Sequence, residues 1–148
     1  MSNVIEQLKM TGRLQIELNG ELVRDIDNLV VTAGKTFVAA SMLKTTSNSP
    51  AAMTHMAVGT GTTNPAAGDT ALETQVGSRK AFTTTASSSG AVVTYVCQFT
   101  AGEGTGALTE AGIFNAASSG TMLCRTEFDV VNKGASDSMT ITWTVTVS

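Results

Sequence analysis

The C-terminal run SMTITWTVTVS, residues 138–148, constrains the fold more than any other stretch of the chain. Met139, Ile141, Trp143, Val145 and Val147 alternate with Thr140, Thr142, Thr144 and Thr146. Successive side chains of a strand point to opposite faces, so this run has one apolar face to bury and one threonine face to leave in water. A strand cannot bury its own face, and the rest of the sequence must supply partners.

It supplies them at short intervals. In GRLQIELNGELVRDI, Leu14, Ile16 and Leu18 alternate with Arg13, Gln15 and Glu17, and Asn19-Gly20 offers the positive φ of a tight hairpin turn. The pattern predicts a hairpin over 12–18 and 21–26, with Arg13, Glu17, Glu21 and Arg24 pairing across its polar face. Further strands are expected at 53–58, 79–86, 91–99, 108–115 and 121–131, separated by turns that include Ser87-Ser88-Ser89-Gly90. One short helix is expected from 33 to 43, with Thr32 as its N-cap and Phe37, Ala40, Ser41 and Lys44 at helical spacing. DTALETQVG, residues 69–77, has room for one helical turn. Short strands punctuated this often predict a mainly β fold: an antiparallel β-sandwich or jelly roll with an N-terminal hairpin and one short helix. The expected organisation is an N-terminal arm, 1–11, and a single domain, 12–148.

Composition excludes several functions. At 148 residues, one domain buries enough surface to fold without a metal or a disulfide. Charged residues make up 14% of the chain, too few for long solvated helices. Thr, Ser, Gly and Ala take their place, which suits polar strand faces and a surface packed against neighbours. The net charge is −3 with Lys and Arg scattered singly, so the cation cluster that nucleic acid requires is missing. No apolar run approaches the roughly 18 residues of a membrane span, and MSNVIEQLKM lacks a signal peptide's apolar core, so the host cell's cytoplasm is the expected place of assembly. Cys97 and Cys124 sit singly in TYVCQF and MLCRTEF and are expected as reduced, buried thiols.

The run MAVGTGTTNPAAGDTAL, residues 56–72, raises the question of a phosphate cradle. Gly59-x-Gly61 has neither a third glycine at the dinucleotide offset nor the Lys of a P-loop, and no long helix follows. Gly104-x-Gly106 precedes a strand. Nucleotide binding is therefore not expected, nor any other cofactor. His55, the single histidine, lies in MTHMAV and reads as structural. Acidic residues are too dispersed to single out a carboxylate pair, and no metal-ligand cluster stands out. No enzyme activity is expected.

MTHMAVGTGTTNPAAGDTALETQVG, with the chain from TYVCQF to its end, resembles a family of small tailed-phage virion proteins. The resemblance rests on A-V-G-T-G-T-T, G-D-T-A-L, L-T-E-A-G-I-F-N and the Thr-alternating final strand, and covers residues 50–148. More loosely, the chain is similar to the collar region of phage tail fibres, where an AVG segment precedes E-x-G-I/L-F and R/A-x-x-F strands. The resemblance implies a structural virion protein without enzyme activity. A head decoration (cement) protein is the first expectation: a jelly roll or related sandwich, frequently a homotrimer, on the outer capsid surface, clamping neighbouring subunits of the major capsid protein. A tail fibre or collar component is the alternative. The chain has no repetitive shaft and stops straight after its last core strand, which favours the shell. Val4, Ile5, Leu8 and Met10 are apolar yet precede the domain, and are the candidate partner-binding residues. They form either a clamp ordered by a neighbour or a cover over the sandwich edge.

Overall fold

Asn19 and Gly20 both take positive φ, 50° and 83°, the conformation that a two-residue hairpin turn of right-handed twist requires. They join β1 (Met10–Leu18) to β2 (Glu21–Val30) in a computed structural model that describes residues 6–43 and 49–148. The chain continues through α1 (Thr32–Ser41), β3 (His55–Gly59), β4 (Lys80–Ala81), β5 (Thr84–Ser89), β6 (Val92–Phe99), β7 (Gly106–Phe114), β8 (Met122–Lys133) and β9 (Met139–Val147).

The fold is mainly β, and the described pairings are antiparallel. The strands form one sheet in the order β4-β3-β7-β8-β2-β1-β9-β6-β5. Strand β2 is the corner: residues up to Asn28 pair with β1, while Leu29 and Val30 pair with Arg125 and Cys124 of β8. The two ends of the sheet, β4 and β5, are separated in sequence only by Phe82 and Thr83. Phe82 N–H donates to Thr54 O beside β3, and Thr83 N–H donates to Val96 O on β6. The sheet therefore curls until its ends meet, and both halves face one core. Leu14, Ile16, Val58, Cys97, Ile113, Ile141 and Trp143 belong to that core, drawn from both halves.

Strand β9 keeps the alternation read from its sequence. Met139, Ile141, Trp143 and Val145 are buried, and the intervening threonines are half-buried. It pairs with β1 from Met10↔Val147 to Leu18↔Met139. The sheet thus begins at Met10, and its ladder extends to Lys9, which exchanges backbone bonds of 2.7 and 2.8 Å with Ser148. Met10 and Thr11 belong to the sheet and not to an arm ending at residue 11.

Other expectations change for identifiable reasons. The helix starts at Thr32, and its N-cap is Val31 with no capping side chain. The Thr32 N–H donates instead to Ala67 O. Gly34 brings the helix onto β8, because a Cβ there would collide with the Leu123 carbonyl. No helical turn forms over 69–77: the N–H groups of Glu73 and Thr74 donate to the Glu110 carboxylate, and that of Val76 to Val58 O. The strand expected over 79–86 is two strands, because the chain changes partner from β3 to β6 at Phe82-Thr83. Ser87, Ser88 and Ser89 extend β5, and the turn falls at Gly90 with φ 57°. Arg13 pairs with Asp25 at 2.6 Å, and Arg24 reaches across the corner to the carbonyls of Asp129 and Val130. Glu17 and Glu21 are not their partners.

Candidate functional site

The Gly59-x-Gly61 run encloses a carboxylate of the chain itself. Glu110, in the middle of β7, is fully buried and accepts from the N–H groups of Gly61 (3.1 Å), Glu73 (3.0 Å) and Thr74 (2.7 Å). Arg125 on the adjacent strand β8 completes the set through Nε at 3.1 Å and Nη2 at 2.8 Å. The Arg125 fork also donates to Asp69 Oδ2 and to Thr63 O, both at 3.0 Å. A Cβ on Gly61 would lie 2.6 Å from Glu110 Oε1, so the glycine is needed for the close approach. Burial by itself would raise the Glu110 pKa, but the N–H groups of Thr74, Glu73 and Gly61 and the Arg125 guanidinium outweigh it and hold the group ionised below the ordinary carboxylate range. Burial would lower the Arg125 pKa, and Glu110 and Asp69 raise it on balance.

This clasp ties the segment 60–77 over the outer face of β7 and β8. Leu72 packs there against a small second core of Val31, Ala57, Phe114 and Met122. Strand β7 is consequently buried without a break from Glu110 to Phe114. The signal in sequence was Glu110 in LTEAGIF and Arg125 after the apolar MLC of MLCRTEF, opposite charges in two β-prone runs. A charge at such a position must be paired if it is buried. The reading of isolated acids missed it because the clasp spans residues 61 to 125.

His55 lies on β3 opposite Phe114 and Ala81, with Nδ1 2.7 Å from Thr54 Oγ1. Cys97 and Cys124 are free and buried on β6 and β8, which are not neighbours in the sheet. Burial pushes the Cys97 thiol up to about 12, and Cys124 well above its ordinary value. Neither is a ready nucleophile. Among the described residues no three His, Cys, Asp or Glu side chains are placed to hold a metal ion, and no helix is long and apolar enough to cross a membrane.

Of the candidate partner-binding residues, Val4 and Ile5 lie outside the described residues. Leu8 is 71% exposed, while Met10 is half-buried against the core. Both line a groove of about 470 Å³ between the start of β1 and α1, opposite Lys35, Val38 and Met42. Comparison with family models, with curated proteins and with solved structures found no match to this chain.

Proposed function

We propose that this chain is a non-enzymatic structural component of a phage virion, and that it decorates the outside of the capsid shell. The observation that carries this reading is where the family-like motifs go. Gly59 and Gly61 of A-V-G-T-G-T-T, Asp69 and Leu72 of G-D-T-A-L and Glu110 of L-T-E-A-G-I-F-N all meet in or beside the clasp, where Arg125, of the R-x-x-F run shared with fibre collars, pairs with Glu110. Residues that would mark a substrate pocket in an enzyme here satisfy one another. They fix the shape of a surface segment on a rigid β body, which is the requirement of a protein that works by fit.

A decoration protein acts by binding across a joint. Bridging subunits of the major capsid protein buries surface in the expanded shell only, so mass action favours that shell. Many copies multiply modest contact energies into resistance to internal pressure. Cryo-microscopy of the virion tests the assignment: density for this curled sheet is expected on the outer shell at a capsid symmetry axis. The looser similarity to fibre collars supports a second reading, a tail component, and density confined to the tail would select it.

A further inference from the structure

The chain has nine Lys and Arg residues, and Lys44 lies outside the described residues. Six of the remaining eight are engaged internally. Arg13, Lys80 and Arg125 hold carboxylates. Arg24, Arg79 and Lys133 donate to backbone carbonyls, and Arg79 also stacks 3.6 Å over the Phe114 ring. Lys9 and Lys35 have no side-chain partner among the described residues, and both line the groove between β1 and α1. Asp27 lines the adjoining hollow but pairs with neither. Among the described residues, the three most exposed large apolar side chains are Leu8 at 71% and Met42 at 77%, which line the groove, and Leu43, next to Met42, at 59%. Unengaged cations and unburied aliphatic side chains, independent features, thus coincide at one concavity.

We propose that this groove, lined by Lys9, Lys35, Val38 and Met42, is the seat of a second copy's N-terminal segment. The segment has the complementary chemistry: two adjacent bulky aliphatic residues followed by a carboxylate. A protein segment fits better than an anionic membrane, because Leu8 and Met42 stand on the two sides of a hollow between strand and helix that an extended chain can enter. A neighbouring copy fits better than the same chain. Returning Ile5 onto the groove beside its own Leu8 would need a reversal at Glu6-Gln7, which has none of the Gly, Asn or Pro of tight turns. A contact of arm with groove is heterologous: repeated head to tail, it gives a closed ring where the rotation closes and an open chain where it does not. The inference deepens the decoration reading by giving the protein a way to assemble with itself.

Sedimentation velocity on the full chain tests it. The parent is expected to self-associate, and both Val4→Asp/Ile5→Asp and Met42→Asp to weaken association at least about tenfold with unchanged melting, a loss equal to one decade in Kd. Mixing the two variants is the decisive arm. A sound segment from the Met42→Asp chain should enter the sound groove of the other, giving a one-to-one complex that grows no further. Should Met42→Asp fail to fold, Lys35→Glu on the exposed helix face replaces it. A monomeric parent, variants that associate like the parent, or mixed variants that ignore each other would overturn the proposal. So would a monomer that binds vesicles of anionic lipid. Shell binding is measured separately, so self-association without capsid binding would fail the decoration reading alone.

Discussion

The clasp and the groove both set cations against apolar surroundings, and they treat the charge in opposite ways. At the clasp, Arg125 and Glu110 are buried and every contact is internal, from Thr63 to Asp69. At the groove, Lys9 and Lys35 border Leu8 and Met42, which remain open to solvent. Burying a charge is costly unless it is paired and hydrogen-bonded, so the first arrangement is a folding device that fails if one member is lost. The second adds little to folding and leaves its binding capacity for another molecule. Substitutions at the two places should therefore separate cleanly, one set changing stability and the other association.

The largest effect is expected from Arg125→Met. It leaves the Glu110 carboxylate in the interior without its cation, and the loss of unfolding free energy should be about 3–5 kcal/mol. Urea denaturation measures it. Replacing both partners, with Glu110→Leu added, should not restore the parent, because the N–H groups of Gly61, Glu73 and Thr74 lose their acceptor. Recovery to parental stability would show that the clasp is a simple ion pair and not the anchor of the segment 60–77.

A smaller effect is expected from acid. The Glu110 pKa is depressed in the folded protein, so its contribution is complete above the unfolded value of about 4.3 and is lost as pH falls through the folded value. Glu103, held at about 2 by Lys80 and the Thr100 N–H, lies on the same acid limb, but its side chain is more than a third open to solvent and its effect is weak. Stability followed from pH 6 downward should therefore fall below about pH 4.3 in the parent, and less steeply in Glu110→Gln. Parallel curves would remove Glu110 from the acid response.

The smallest effect is expected at the groove. Met42→Asp should leave unfolding free energy within about 0.5 kcal/mol of the parent, as for exposed positions without special contacts. A loss of several kcal/mol would mean that Met42 serves the fold, and the contrast between the two regions would collapse.

The same contrast explains what could be read from sequence. Strand β9 was legible because Trp143 and its neighbours face one core and the threonines face outward, so burial follows period two. The hairpin turn was legible because Asn19-Gly20 states its backbone conformation locally. The clasp was not, since Glu110 is held by N–H groups of Gly61, Glu73 and Thr74, and a backbone N–H leaves no mark on residue type. The unbroken burial of β7 was hidden for the same reason: its outer cover comes from Leu72 and from Val31, distant in sequence. At the groove, Leu8 and Met10 stood out as apolar residues ahead of the hairpin, but their companions Lys35, Val38 and Met42 became visible only when α1 was set beside β1.

Co-sedimentation with emptied capsid shells tests the central claim most directly. Full-length protein incubated with expanded shells, unexpanded shells and isolated tails is expected to pellet in saturable amounts with expanded shells alone. Retention on tails with none on shells, or pelleting that never saturates, would contradict it.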